Sequence, residues 1–242
     1  MLYVLTALKC EAAALAGVPG TVIVTGVGDR CRARLDSIAL TSDDRILNIG
    51  CAAGRHIGSA YLINRIESGL TGRVFYPDMR KGMPFPETRL VTTAGEVNEV
   101  TEDAVFDMEG AIICEWALKK IPQSSVAFIK VVSDDGTTRP SAADVTQLIR
   151  QHIDGIKKAA ESLAEVRDAH AVTAVPEDLA DELRLSQYMR NEFASLRHYA
   201  EVSGRKIELE QMLDDMREEG RIPVKDKRAG KEILDEIFAR LR

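Results

Sequence analysis

Acidic side chains follow several short apolar runs in the first 135 residues of the sequence. Glu11 comes after the run that opens the chain, Asp107 and Glu109 flank Met108, and Asp134 ends a later run. Alone, a carboxylate after a strand is most often a turn residue or a helix cap. Carboxylates that converge on one site, however, can protonate a leaving group, activate a nucleophile and accept hydrogen bonds from hydroxyl groups.

The runs that precede these residues predict an α/β fold. Short apolar segments alternate with helical patterns, which favours a three-layer sandwich with a mixed, largely parallel central sheet. Ligands of such sheets bind at the carboxyl ends of the strands, where glycine and aspartate are frequent here. Three predicted strands have such ends, at residues 22–25, 46–49 and 126–132, and a further strand is predicted at residues 2–7.

The second half of the sequence is predicted to be helical. Ser141 is a candidate N-cap for one long helix that continues to residue 166. Apolar residues then recur at helical spacing over 179–199, 209–216 and 233–241. We therefore predict an α/β domain at 1–170 and a small all-α C-terminal module at 177–242, which could bind a partner.

Composition excludes several classes of protein. The chain of 242 residues has a net charge of −6 and 45% hydrophobic residues, and it has no basic face for nucleic acid. No apolar run approaches the roughly 18–20 residues of a membrane helix, and the N-terminus lacks the features of a signal peptide. The four cysteines and four histidines show no metal-ligand spacing. We expect a cytoplasmic protein with reduced cysteines, without a metal, and without a nucleic-acid or membrane partner.

Five segments resemble, in the same order, parts of the methylthioadenosine/S-adenosylhomocysteine nucleosidases of the nucleoside phosphorylase/nucleosidase superfamily. The segments are residues 5–11 (LTALKCE), 23–28 (IVTGVG), 47–54 (LNIGCAAG), 106–111 (FDMEGA) and 131–134 (VVSD). The resemblance implies hydrolysis of the N-glycosidic bond of an adenosine-type purine nucleoside. Such a nucleoside could be 5′-methylthioadenosine, S-adenosylhomocysteine or 5′-deoxyadenosine. It also implies a homo-oligomer that needs no cofactor.

The resemblance assigns roles by position. Glu11 would activate water, and Asp134 would protonate or hydrogen-bond N7 of the purine. Glu109 would accept hydrogen bonds from the ribose hydroxyls, with Met108 packed on the sugar. The other residues that it places around the substrate are Cys51, Ala52, Val97, Asp107 and Ser133.

Two alternatives stay open. Asn48 stands where phosphate-using members of the superfamily have an arginine, which favours water. Gly28, Arg30 and Arg55, however, lie near glycine turns and could bind phosphate or a 5′ group. The first alternative is thus a purine nucleoside phosphorylase. The second is a non-catalytic nucleoside-binding protein, because Cys51 replaces the usual serine and the segment before Asp107 is short.

Overall fold

The structure is a computed structural model that describes residues 1–78, 83–165 and 175–241. The chain divides into two compact units, one ending at residue 166 and the other beginning at residue 167. The predicted end of the α/β domain, at 170, and that of the long helix, at 166, lie outside the described residues.

The first unit contains one mixed sheet. Its two longest parallel neighbours, of nine residues each, are almost wholly buried, as expected for central strands covered on both faces. In chain order the strands are β1 (Leu2–Thr6), β2 (Thr21–Val24), β3 (Arg45–Ala53), β4 (Ala60–Ser68), β5 (Val74–Phe75), β6 (Glu87–Thr92), β7 (Val105–Asp107) and β8 (Val126–Asp134).

The sheet closes on itself. β3 pairs with β8, β8 with β4, β4 with β6, and β6 with β7. β7 then returns to β3 through the pair Ala53 and Phe106. The α/β class and the mixed sheet are confirmed, but the predicted three-layer sandwich is not, because the sheet is closed. The closing strand has three residues, too few to give a recognisable period in the sequence.

Helices of the first unit pack on both faces of the sheet. They are α1 (Lys9–Ala14), α2 (Arg30–Asp36), α3 (Gly110–Leu118), α4 (Ala142–Gln151) and α5 (Ile153–Ala164). One core cluster includes Ile46 and Phe128 with side chains of α2 and α3. The other includes Leu47 and Ile129 with side chains of α1, α4 and α5. Neighbouring strand residues enter different clusters because side chains alternate along a strand.

The single long helix predicted after Ser141 is wrong. Ser141 does cap α4, since its side chain accepts from the Asp144 amide, but the helix ends at His152. That residue has φ −107° and ψ 9°, outside the helical region, and its ring Nε2 lies 2.7 Å from the Gly58 carbonyl oxygen. α5 then begins at Ile153. The apolar period runs through both helices, so it does not reveal the break.

The second unit is all-α, with its own core around Phe193, Leu196 and Leu234. The helix predicted over 179–199 is two helices, because Arg184 has a positive φ of 50° that interrupts it. Across the described residues, none of the helices has the length and apolarity that a membrane span requires. The helices of this unit are α6 (Glu177–Glu182), α7 (Gln187–Val202), α8 (Lys206–Glu218) and α9 (Lys227–Leu241).

Candidate active site

A cavity of about 490 Å³ lies where β1, β3 and β8 end. Its lining comes from segments that are more than 120 residues apart in the chain, which the parallel pairing of these three strands brings together. The predicted site residues that line it are Glu11, Cys51, Ala52, Val97, Asp107, Met108, Glu109, Ser133 and Asp134.

Glu11 lies in the first turn of α1 and is 2% exposed. Its Oε2 accepts from the backbone amides of Ala7 and Leu8, at 2.9 and 2.8 Å, and its Oε1 accepts from the Cys51 amide at 2.8 Å. Burial raises the pKa of Glu11, and these backbone donors offset part of the rise. The carboxylate is therefore held in one orientation with elevated proton affinity, which suits a general base.

Glu109 is held beside Met108 at the start of α3. Its Oε1 accepts from the Gly28 amide at 2.6 Å, and Gly28 has a φ of 59° that a residue with a side chain rarely adopts. Burial, followed by the negative charge of Asp107, raises the pKa of Glu109 to about 7. Near neutral pH this side chain can thus exist both as a carboxylate and as an acid.

Asp107 is buried with both oxygens occupied. Thr92 Oγ1 donates to its Oδ1 at 2.7 Å, and the Gly110 amide donates to its Oδ2 at 2.8 Å. The Nζ of Lys130 also lies 2.8 Å from Oδ2. Lys130 was missed by the sequence analysis, although a lone lysine in the apolar run of β8 is the signal that could have revealed it.

Asp134 ends β8 at the cavity. Ser133 Oγ donates to its Oδ2 at 2.7 Å, and the Gly136 amide donates to its Oδ1 at 3.0 Å. Both contacts are local, so the strand end itself fixes the orientation of the carboxylate.

Two loops form the remaining wall of the cavity. Residues 93–98 include Val97, and residues 136–140 include Arg139, which donates to Glu96 across the loops at 2.5 Å. Gly136 has a φ of 88°, and a β-carbon there would lie only 2.9 Å from the Val97 carbonyl oxygen. The two loops are therefore in backbone contact.

The structure does not bring all predicted residues to the cavity. Arg30 and Arg55 are exposed and are absent from its described lining. Gly28 is buried, and its amide is used by Glu109. The phosphate or 5′-group role of these three residues stays a prediction.

The cavity is rich in negative charge. Among the described residues that line it, five are acidic, and the cationic one, Arg139, is 85% exposed and paired with Glu96. At no point in the described ranges do three or more histidine, cysteine or acidic side chains form a metal-binding group. The arrangement can thus donate and accept protons and bind hydroxyl groups.

Comparison of the structure with solved structures identifies the fold. A methylthioadenosine nucleosidase (MTAN) variant of Chlamydia trachomatis superposes with a TM-score of 0.54 and 20% identity, covering 67% of this chain and 98% of the other. A 5′-methylthioadenosine/S-adenosylhomocysteine nucleosidase of Borrelia burgdorferi, solved with adenine bound, gives 0.50 and 17%, covering 69% and 100%. No family model matches the sequence, and no curated protein matches it.

Over about two thirds of its length, the chain therefore shares the fold of these solved nucleosidase structures. The solved structures that it resembles are methylthioadenosine/S-adenosylhomocysteine nucleosidases, the same proteins that the five sequence segments resemble. At 17–20% identity the likeness concerns the fold.

Proposed function

We propose that this protein hydrolyses the N-glycosidic bond of an adenosine-type purine nucleoside, such as 5′-methylthioadenosine, S-adenosylhomocysteine or 5′-deoxyadenosine. The observation that carries the proposal is that one cavity gathers Glu11, the Met108–Glu109 pair and the Ser133–Asp134 pair. These groups match the three needs of the reaction, which are a base for water, an acceptor for the ribose and an acid for the leaving purine.

The reaction follows from these positions. Glu109 accepts hydrogen bonds from the ribose hydroxyls, and Met108 packs against the sugar. Asp134, oriented by Ser133, is the acid that transfers a proton to N7, so that the purine leaves as a neutral molecule when the bond to C1′ breaks. Glu11 takes a proton from water, whose oxygen bonds to C1′.

Charge favours water over phosphate as the nucleophile. Phosphate brings about two negative charges and needs arginine or lysine partners. In the described part of the cavity wall, Arg139 is engaged by Glu96, and the nearby buried Lys130 is engaged by Asp107. Glu11 and Glu109 would repel an anion in the same space.

Two apolar side chains at the cavity, Leu8 and Val27, are 38% and 37% exposed. They support the further proposal that a second copy of the chain covers this edge. Sedimentation analysis of wild type and of Val27→Glu tests this, since the charged variant should be more dissociated.

The decisive experiment incubates the protein with a panel of purine nucleosides, with and without phosphate. We expect free purine and free pentose in phosphate-free buffer, at a rate that phosphate does not raise. Base release that requires phosphate and yields a pentose 1-phosphate would establish a phosphorylase instead. Binding without release of base from any nucleoside would identify a nucleoside-binding protein.

A further inference from the structure

Lys130 and Asp107 form a deeply buried ion pair beneath the cavity. The side chains are 2% and 1% exposed, and their charged atoms are 2.8 Å apart. Burying an ion pair costs several kcal/mol per ion in desolvation, and an apolar pair of similar volume is often at least as stable. Stability of the fold alone therefore does not explain why this pair is buried. The carboxylates that surround it offer an explanation.

Two further carboxylates, those of Glu11 and Glu109, lie near the pair, so three carboxylates surround one ammonium group. Glu11 and Lys130 both approach Gly50, since a β-carbon on Gly50 would lie 3.1 Å from Glu11 Oε1 and 3.6 Å from Lys130 Nζ. Glu109 follows Asp107 by two residues and is also within electrostatic range of Lys130. One ammonium thus faces three buried carboxylates that arrive from α1, from β7 and from the start of α3.

We propose that Lys130 and Asp107 are positioning residues that act on Glu11 and Glu109, setting how much negative charge these two carboxylates carry at the cavity. The Lys130 ammonium stabilises the ionised forms of Glu11 and Glu109. Asp107 holds the ammonium in place, and its negative charge weakens that stabilisation. The inference rests on the proposed function for the roles of Glu11 and Glu109, although the charge coupling itself does not.

Among the described residues, Asp134 lines the same cavity, and two thiols lie beside the cluster. Cys31 on α2 lies beside Glu109, and Cys51 on β3 lies beside Glu11. Burial raises the pKa of each thiol to about 12, so neither titrates with the carboxylates. Although burial alone would lower the pKa of Lys130, Asp107 and Glu109 raise it, and the lysine stays charged.

The two partners of the pair should act in opposite directions. Without the ammonium, Lys130→Met should move the titration midpoint of Glu109 up by about one pH unit or more. Without the neighbouring negative charge, Asp107→Asn should move it down. A purely structural ion pair would instead make both variants alike, because each breaks the same contact.

The midpoint is measured by NMR titration of the Glu109 side-chain carboxyl carbon in ligand-free full-length protein, assigned with Glu109→Gln. This readout does not require activity, so it separates failure of the charge coupling from failure of the proposed reaction. In parallel, the acid limb of kcat/KM for base release should move in the same directions. Lys158→Met and Asp154→Asn, on the exposed face of α5, are the matched controls and should leave both unchanged.

Midpoints that stay within 0.3 units of wild type, or that move in the same direction in both variants, would overturn the proposal. If Lys130→Met does not fold, the titration midpoint of Glu109 in Asp107→Asn is the test, because the amide keeps the shape of the carboxylate. A downward shift then supports the coupling, and an unchanged or raised midpoint refutes it.

Discussion

In the proposed reaction, Asp134 is the residue on which release of the base depends most directly. Its two oxygens are fixed by Ser133 and Gly136, so replacing one oxygen by nitrogen changes the chemistry more than the placement. We expect Asp134→Asn to lower the rate of base release by about 10²–10⁴-fold, the usual contribution of a general acid. An assay of free purine measures the loss.

Asp135→Asn is the matched control for Asp134. Its side chain binds Thr137 and is absent from the described lining of the cavity. It should retain nearly all activity. Full activity in Asp134→Asn would show that Asp134 is not the general acid.

Glu109 gives the site a dependence on pH near neutrality. If the ionised form binds the ribose, kcat/KM should fall about tenfold per unit as pH drops below about 7, the pKa to which burial and Asp107 raise it. A pH–rate profile measures this limb. Glu109→Gln, which cannot ionise, should be much slower and should lack the limb, whereas a limb that persists in this variant belongs to another group.

The same residue predicts a cost in stability. Because the pKa of Glu109 rises from 4.5 to about 7 on folding, the folded state holds this proton more tightly than the unfolded chain does. Stability is therefore lost as pH rises through this window. Above pH 7, the free energy of unfolding of Glu109→Gln should exceed that of wild type by at most about 3 kcal/mol. The variant should therefore unfold at a higher urea concentration.

At pH 4 the side chain is protonated in both states, so Glu109→Gln and wild type should unfold at similar urea concentrations. A variant that is less stable than wild type at both pH values would contradict the predicted cost of ionising Glu109.

The sequence was informative for residues at strand ends and uninformative for Lys130. Glu11, Glu109 and Asp134 stand in local patterns that are recognisable without a structure. The importance of Lys130 depends on Asp107, which is 23 positions away in the sequence and becomes its neighbour through the closed sheet. A contact of this kind leaves no local pattern, except that a lysine in a buried strand requires a partner.

At the scale of elements, the two loops over the cavity are joined at Gly136. Gly136→Ala would combine a positive φ with a β-carbon 2.8–3.0 Å from the backbone of residues 97–99. We expect a loss of roughly 1–3 kcal/mol in stability and a raised KM, because the loop that carries Val97 must move. Thermal unfolding and steady-state kinetics measure the two effects.

Gly72→Ala is the control for Gly136. It also has a positive φ, of 69°, but its β-carbon would meet nothing within 4 Å. It should lose some stability without a change in KM. An equal change in KM in both variants would show that the loop contact is not what matters.

Elements with a strong period were predictable, whereas their ends and breaks were not. β3 and β8 are long and apolar, and both were expected from the sequence. β7 has three residues, and the breaks at His152 and Arg184 depend on backbone angles that apolar spacing does not encode. The closure of the sheet was missed for the same reason, since it depends on β7.

At the scale of the whole molecule, the two units have separate cores in the described residues. Phe193 in the second unit and Phe128 in the first are both fully buried. Replacing either by alanine should cost about 3–5 kcal/mol in its own unit. We expect Phe193→Ala to keep base release and Phe128→Ala to lose it on mild heating, which an activity assay after thermal challenge measures. Equal losses would show that catalysis depends on the second unit.

The closed sheet also constrains how this protein can evolve. Inserting or deleting one residue in β3, β7 or β8 would turn every later side chain of that strand to the opposite face. Each of these strands is paired on both sides, so the change would disturb two neighbours. The segments 93–104 and 135–141 lie between such elements and carry no such constraint. New substrate preferences should therefore arise by changes of length in these two loops. The strands that carry the charged residues should keep their length.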